Sequence, residues 1–175
     1  METQANALLE RLTAVGPGWA CAGLGLAAFL ENLVPPIPGD TVVLFGAYLA
    51  GRGALPWVPV LLATWAGGTA GFMAMYAIGY TGGRAWVARH LGPSRAASLE
   101  RAERWLARYG VGLILVNRFL SGVRTAIALG AGIGRLGWRP VLLGAAVSMA
   151  LWNGLLMAAG LALGRNWEAA SGLLR

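Results

Sequence analysis

The chain has 175 residues, of which 57% are apolar and only 12% are charged. A soluble domain carries about 25% charged residues, so this composition excludes an ordinary soluble domain and predicts an integral membrane protein. The net charge is +7 and every basic residue is arginine. These arginines follow the boundaries of apolar segments rather than a nucleic-acid-binding motif, so we expect no nucleic-acid partner.

Few residues in the chain are of the types that carry enzymatic chemistry. Residues 1–12 have acidic residues before the first arginine and no small-residue cleavage site, so we expect no cleaved signal peptide. The single Cys21 excludes an intramolecular disulfide, and the single His90 lies in a basic loop. The sequence shows no Cys/His cluster, phosphate-binding loop or Ser/His/Asp pattern. We therefore expect no metal, no cofactor, no catalytic residue and no enzymatic activity.

Four apolar runs are too short to cross a bilayer. They cover residues 19–30, 41–50, 111–117 and 125–134. A ten-residue helix is about 15 Å long, which is about half of the hydrocarbon core. We interpret the runs as the arms of two re-entrant helical hairpins, each entering the membrane, turning at a polar tip and leaving by the same side. The alternative for the first arm is that residues 12–30 span the bilayer.

The two hairpin turns contain residues that break or loosen a helix. In the first turn prolines interrupt helical hydrogen bonding, and in the second a Ser-Gly pair loosens the backbone. Non-helical backbone at membrane depth requires cover by protein or a water-filled cavity. The predicted turn residues are Pro35, Pro36, Pro38 and Gly39 in the first hairpin, and Ser121 and Gly122 in the second.

Two apolar segments are long enough to cross a bilayer. Residues 57–80 and 140–164 contain no charged side chain, and about 20 residues suffice for a transmembrane helix. Aromatic residues lie near the ends of both segments, as is typical of membrane interfaces. Small residues inside both segments permit close helix contact: Gly67, Gly68 and Gly71 in the first, and Gly144, Ala145, Ala146 and Ser148 in the second.

The order of a short arm, a polar tip, a short arm and a long span occurs twice. The first repeat covers about residues 12–80 and the second about residues 111–165. Because one long span separates the hairpins, we expect them to enter from opposite sides, as inverted repeats do in many secondary transporters. The predicted fold is a single all-α membrane domain over residues 1–175, with two inverted repeats of hairpin plus transmembrane helix.

An arginine-rich linker joins the two repeats. Residues 84–108 contain six arginines and two glutamates, so the positive-inside rule places this segment in the cytoplasm. With two hairpins and two spans, both termini then lie outside. Ala97, Leu99, Trp105 and Leu106 are the main apolar residues among the charged ones, and we interpret this segment as an amphipathic helix on the membrane surface. A plain solvated linker helix is the alternative.

Acidic side chains bracket the first polar tip. Glu31 and Asp40 flank the proline-rich turn, and ionisable residues inside membrane-type sequence are candidates for function. A buried carboxyl group can hold and release a proton near neutral pH, so both residues are candidates for proton coupling. The alternative is a capping role, above all for Asp40, which precedes an apolar helical run.

Two arginines flank the second polar tip. On an unbroken helix Arg118 and Arg124 would lie on different faces, but a turn between them lets both point into one cavity. Two guanidiniums can cradle a phosphate or a carboxylate, so we predict a substrate phosphate site at this pair. The alternative is a structural ion pair with Glu31 and Asp40, since buried charges need partners.

The two polar strings resemble the motifs of a known family. Glu31-Asn-Leu-Val-Pro-Pro-Ile-Pro-Gly-Asp40 resembles the acidic proline-rich motif of the DedA family, also called the SNARE-associated or VTT-domain family. The segment that begins Arg118-Phe-Leu-Ser-Gly-Val-Arg124-Thr is similar to its basic motif, with Ser121 where the family usually has proline. The central stretch also fits the family at Tyr76, Gly79, Gly83 and Arg84.

This resemblance covers about residues 20–165 and implies a lipid transporter. It implies proton-coupled translocation of an anionic lipid phosphate, such as undecaprenyl phosphate, across the bacterial inner membrane by a multi-pass protein. Glu31, Asp40, Arg118 and Arg124 fall on the family's acidic and basic positions. The expected partners are the anionic lipid, either a polyprenyl phosphate or a phospholipid, and protons; a homo-oligomer is compatible with the sequence.

Other functions fit the same residues. A phospholipid scramblase or flippase would use the same anionic head-group site, and a small-anion carrier would differ in opening only to water. A non-transporting membrane scaffold would use the four charges only for mutual pairing. An intramembrane enzyme is the weakest alternative, because the sequence supplies no evident nucleophile or metal ligands.

Overall fold

A computed structural model of the chain describes residues 17–33, 39–90, 93–120 and 123–173. Its α-helices, numbered α1 to α7 in chain order, are Pro17–Leu33, Gly39–Gly51, Trp57–His90, Pro93–Tyr109, Gly112–Leu115, Arg124–Ile133 and Trp138–Leu173. A 3-10 turn at Asn117–Phe119 precedes α6. These described ranges contain no β-strand, so the all-α prediction is confirmed.

Most of the predicted turn residues lie outside the described residues. These are Pro35, Pro36, Pro38, Ser121 and Gly122. Gly39, which we predicted in the first turn, is the first residue of α2.

The two predicted long spans are confirmed as helices. The membrane-type parts of α3 and α7 are Trp57–Ala85 and Trp138–Gly164, with 29 and 27 residues and mean hydropathies of 1.4 and 1.8. α3 is kinked near the end of this part at Gly83, whose φ of 67° lies in the left-handed region that favours glycine. Trp57, Tyr80 and Trp138 are 42–56% exposed near the ends of these spans.

The long helices expose apolar side chains and bury polar ones. On α7 the residues Leu143, Val147, Leu151 and Leu155, spaced by four along one face, are 47–67% exposed. The buried polar side chains of these helices, by contrast, include Thr64 on α3 and Asn153 on α7, both 0% exposed. A contiguous exposed apolar face is unusual in a soluble protein and fits a surface in contact with lipid.

The described residues divide into two compact units. The first unit holds residues 17–28, 39–67 and 153–173. Its core consists of Cys21, Ala47, Leu49, Leu55, Val60 and Met157. α2 meets the last part of the α7 span so closely that a β-carbon on Gly51 would lie 3.0 Å from the Gly164 Cα atom. α2 therefore ends near the start of α3, since Leu49, Leu55 and Val60 share this core.

The second unit holds residues 29–33 and the described part of residues 68–152. Its core joins α3, α4, α6 and α7, with α4 packed mainly on α6. α6 and α3 approach so closely that a β-carbon on Gly132 would overlap the Tyr76 carbonyl. Small residues thus allow close helix packing, as the sequence predicted for α3.

The apolar stripe of α4 packs on protein, whereas the prediction of a surface helix placed it against the membrane. Leu99, Ala102 and Leu106 are at most 6% exposed and belong to the core of the second unit, whereas Ala97 is exposed. The helix is amphipathic, but its apolar stripe packs on protein. Its spacing of three and four residues places the three side chains on one face, and α6 covers that face.

The two predicted repeats share the order of their last two helices but differ in the helix that begins each repeat. A short helix precedes a long one in each: α2 and α3 have 13 and 34 residues, and α6 and α7 have 10 and 36. The first leading arm is the 17-residue α1, whereas the second is the four-residue α5 followed by the 3-10 turn. Glycines at 110 and 112 disfavour a longer helix there.

The segment between α4 and α7 begins and ends near the start of α7. A β-carbon on Gly144, in the second turn of α7, would lie 3.4 Å from side-chain atoms of Val111 and Ile114. Leu136 precedes α7 by two residues. The Leu136 carbonyl accepts a hydrogen bond of 2.6 Å from the Tyr76 hydroxyl. Val111 and Leu136, at the two ends of this segment, therefore both lie near the start of α7, and the re-entrant hairpin stays a prediction.

The membrane orientation is testable by cysteine labelling. In a Cys21→Ser background, we expect Ala97→Cys on the exposed face of α4 to resist an impermeant maleimide in intact cells. It should react after permeabilisation, because the arginine-rich linker is predicted to be cytoplasmic. Arg52→Cys, in the exposed turn after α2, is the matched variant and should react from outside. Labelling of Ala97→Cys in intact cells would contradict the predicted orientation and place the linker outside.

Candidate functional site

The last turn of α1 places a glutamate inside the second unit. Glu31 is 4% exposed. The end of α1 approaches α3 closely at Gly71, where a β-carbon would lie 2.5 Å from the Phe29 carbonyl oxygen and 3.0 Å from the Asn32 β-carbon. Glycine at position 71 therefore allows α1 to carry its carboxylate into the protein interior.

Asn32 ties the end of α1 to two other helices. Its side-chain amide donates a hydrogen bond of 3.3 Å to the Gly68 carbonyl on α3. Its own carbonyl accepts a hydrogen bond of 3.3 Å from the Thr125 hydroxyl, in the first turn of α6. These two bonds fix the position of the helix end that carries Glu31 and hold it beside the start of α6.

Two guanidiniums contact one oxygen of the Glu31 carboxylate. The Nη1 atoms of Arg118 and Arg124 lie 3.3 Å and 3.0 Å from Glu31 Oε1. The side chains of Glu31 and Arg118 are each 3% exposed, whereas that of Arg124 is 25% exposed. The arrangement is thus a buried ion triad, which we call the charge triad, with Arg124 on its accessible side.

Side chains of α7 support Arg118. The Arg118 guanidinium donates to the sulfur of Met149, and Met149 fits against α3 because Gly68 has no side chain there. In the preceding residue, the Asn117 amide oxygen accepts a hydrogen bond of 3.2 Å from the Ser148 hydroxyl. The 3-10 turn that carries Arg118 is therefore anchored to α7 by two neighbouring residues.

The structure brings together three of the four predicted charged site residues. Arg118 lies in the 3-10 turn and Arg124 begins α6, so the two arginines belong to separate elements and converge as predicted. The ion pair that we gave as the alternative for these arginines is present at Glu31, and the phosphate-binding role stays a prediction. Asp40 lies in the first turn of α2, in the first unit. Since α2 begins at Gly39, Asp40 lies inside the helix, where a negative charge is favourable near the N-terminus.

Several supporting residues escaped the sequence reasoning. Asn32 lies in the first polar string and Asn117 directly precedes the second, and their amides inside apolar sequence were a signal that we did not use. Ser148 was predicted only as a small packing residue, yet its hydroxyl donates to Asn117. Met149 gave no signal, because a methionine in an apolar span is an ordinary packing residue.

A buried charge triad in a framework with two long apolar helices is typical of an integral membrane protein with an internal ionisable site. The VTT domain family matches residues 37–162, which is more than half of the chain. The chain therefore belongs to the VTT-domain family, also called the DedA family. No solved structure gives a significant match to the chain.

Curated relatives cover most of the chain. Undecaprenyl phosphate transporter A of Bacillus subtilis (strain 168) is 27% identical, over 84% of this chain and 73% of its own length. The protein of the same name in Staphylococcus aureus (strain NCTC 8325 / PS 47) is 22% identical, over 87% of this chain and 76% of its own. An alkaline phosphatase-like protein of Lactococcus lactis subsp. cremoris (strain MG1363) is 26% identical, over 87% and 74%.

These relatives agree with two sequence predictions. The protein belongs to a membrane family, and the two relatives named as transporters support the prediction that it is not an enzyme. The phosphatase-like name does not identify a catalytic group. Within the described ranges, no group of three or more His, Cys, Asp and Glu side chains is placed to hold a metal ion.

The charge triad predicts a large effect of Glu31 on stability. Glu31→Ala should lower the free energy of unfolding by about 3–5 kcal/mol, because removing one member of a buried ion pair leaves buried charge uncompensated. Equilibrium unfolding in mixed detergent micelles measures this change. Glu100→Ala, at an exposed carboxylate on α4, is the matched control and should change stability by about 0.5 kcal/mol or less. Equal stabilities for the two variants would contradict a structural role of the triad.

Proposed function

We propose that this protein translocates an anionic lipid phosphate of the polyprenyl phosphate class, such as undecaprenyl phosphate, across the bacterial inner membrane in a proton-coupled cycle. The observation that carries the proposal is the charge triad, in which one buried carboxylate oxygen is shared by two guanidiniums. The names of the Bacillus and Staphylococcus relatives support the class of substrate.

The two arginines suit a phosphate head group. A phosphate presents several oxygens, and guanidiniums bind such groups through parallel charge-assisted hydrogen bonds. Both Nη1 atoms lie within 3.3 Å of one oxygen atom, so a single phosphate in place of that carboxylate would contact both arginines. Arg124, with 25% of its side chain exposed, would meet the head group first.

Glu31 suits the role of proton carrier because it competes with phosphate for the same two cations. When the carboxylate is charged, it holds both guanidiniums. When it takes up a proton, its attraction for them falls and they become available to the substrate. Phosphate binding and protonation of Glu31 would therefore favour each other, and such reciprocal coupling links lipid movement to a proton gradient. Asp40 is the second candidate for this role.

We propose that the segments around the two polar strings form re-entrant hairpins and that these hairpins supply the path. The segment between α4 and α7 returns to the end from which it started, and α2 ends beside the start of α3. Hairpins that do not cross the membrane can shift without moving a whole span, and the exposed apolar faces of the long helices leave the lipid tail in hydrocarbon. The lipid phosphate would then pass the charge triad while its tail stays in the bilayer.

Transport by purified protein in liposomes tests the phosphate site. Arg118→Ala and Arg124→Ala should each slow translocation of a polyprenyl phosphate by on the order of tenfold or more, since a charged hydrogen bond contributes about 1.5–3 kcal/mol. Arg118→Lys and Arg124→Lys should show smaller losses, because lysine keeps the charge but lacks the planar fork. Head-group accessibility to an added phosphatase is the measurement.

Arg101→Ala provides the control, because Arg101 is an exposed arginine of α4 and its loss should leave the rate unchanged. Vesicles with a fluorescent phosphatidylcholine or with trapped inorganic phosphate show whether the substrate is instead a neutral-headed lipid or a small anion. Normal transport by both folded Arg→Ala variants would falsify the phosphate site.

The proton role of Glu31 is tested by the pH dependence of transport. Glu31→Gln keeps the shape of the side chain but does not titrate, so we expect it to retain binding of the lipid phosphate and to lose the response to a pH gradient. Transport rates measured at a series of external pH values, for the wild type and for Glu31→Gln, give the answer. If the variant keeps the full wild-type pH response, Glu31 is not the proton carrier and Asp40→Asn is the next variant.

A further inference from the structure

A groove of about 320 Å³ lies in the second unit, apart from the charge triad. It runs between the last turns of the α3 span and the turn that precedes α7. Its mainly apolar lining includes Tyr76, Tyr80, Thr81, Arg135, Leu136 and Trp138. A hydrogen bond from the Tyr76 hydroxyl to the Leu136 carbonyl joins the two sides of the groove.

Arg135 occupies an unfavourable backbone conformation at the edge of this groove. Its φ of 51° lies in the left-handed region. Among the described residues, Arg135 is the only residue other than glycine with a positive φ. It follows α6 in a capping turn, in which the Arg135 and Leu136 amides donate to the Gly132 and Ala131 carbonyls. A residue in this position is usually glycine, because a side chain raises the energy of the left-handed conformation.

The end of α2 shows the same turn with the usual residue. There the amides of Gly53 and Ala54 donate to the Ala50 and Leu49 carbonyls, and Gly53 has a φ of 73°. The chain thus uses glycine at one of two equivalent turns and arginine at the other. A strained residue that persists where glycine is favoured points to a function of its side chain.

The strained turn places a cation among interfacial aromatic rings. The Arg135 guanidinium carbon lies 5.0 Å from the centroid of the Tyr80 ring, and that of Arg139 lies 5.3 Å from the Trp138 ring. Tyr80 and Trp138 are 42% and 56% exposed near the ends of the two long spans, where aromatic residues meet the head-group region. Positive charge beside an apolar groove at this level complements a lipid with an anionic head group.

We propose that this groove binds an anionic glycerophospholipid from the surrounding leaflet, with the lipid phosphate on Arg135 and a hydrocarbon chain along the apolar lining. Basic pockets beside transmembrane helices recognise phospholipid head groups in this way. A zwitterionic lipid fits less well, because its second charge has the same sign as the two arginines. The site is separate from the charge triad and does not depend on the transport proposal.

The test measures lipid retention by the purified full-length chain. Native mass spectrometry compares phosphatidylglycerol and phosphatidylcholine with the same acyl chains, for the wild type and for Arg135→Gly. We expect the wild type to retain one phosphatidylglycerol preferentially, and the variant to bind it about fivefold more weakly, as expected for loss of one interfacial arginine. Because glycine suits the turn, the melting temperature of Arg135→Gly should equal or exceed that of the wild type.

Matched variants separate a built site from general attraction between charges. Arg101→Ala removes one exposed arginine of α4 and should leave phosphatidylglycerol retention unchanged. Tyr80→Leu removes the aromatic ring under the guanidinium and should weaken retention. Soluble glycerol phosphate at the same concentration should not displace the lipid, because it lacks the chain that fills the groove.

Three results would overturn the proposal. The first is equal phosphatidylglycerol retention by the wild type and Arg135→Gly. The second is an equal loss in Arg101→Ala, which would show that net charge alone attracts the lipid. The third is a lowered melting temperature of Arg135→Gly with unchanged lipid preference. This result would show that the contact of Arg135 with Tyr80 only stabilises the turn.

Discussion

The rest of the structure depends on a carboxylate and two guanidiniums that share one contact atom inside an apolar protein. Removing such charges from water costs several kcal/mol for each ion, and close pairing offsets this cost only when the geometry is good. Glu31 meets Arg118 across 87 positions of sequence. The helix ends that carry these side chains must therefore be held in place, and the neighbouring hydrogen bonds from Asn32 and Thr125 do so.

Close helix packing makes this placement feasible. Gly71 lets the end of α1 approach α3, and Gly68 makes room for the methionine that contacts Arg118. In a membrane the hydrophobic effect does not drive helices together, so contact depends on small residues and on polar groups between helices. The second unit uses both means around the charge triad. Larger side chains at these glycines would displace the very elements that carry the charges.

The arginines of the charge triad and of the groove at Arg135 differ in burial and in their partners. Arg118 is almost fully buried and needs a carboxylate partner, so its charge is held inside the protein. Arg135 is exposed beside aromatic rings, and the cost of its position lies in the backbone rather than in desolvation. An anion at the first site must compete with Glu31, whereas an anion at the second meets an exposed guanidinium. This difference is the reason that we propose proton coupling at the first site and steady lipid binding at the second.

The sequence by itself determined the membrane class, the two long spans and four candidate charged residues, three of which form the charge triad. Hydropathy and the cost of charge in an apolar setting depend on composition and local order, so they can be read without a fold. The tertiary structure decided which atoms meet. Glu31 forms ion pairs with both arginines, and Asn32, Ser148 and Met149 hold the elements that carry these charges. The apolar stripe of α4 is buried against α6. The sequence could not predict these contacts, because a periodic apolar face fits lipid and protein equally well. Contacts between distant residues depend on helix ends that only packing positions.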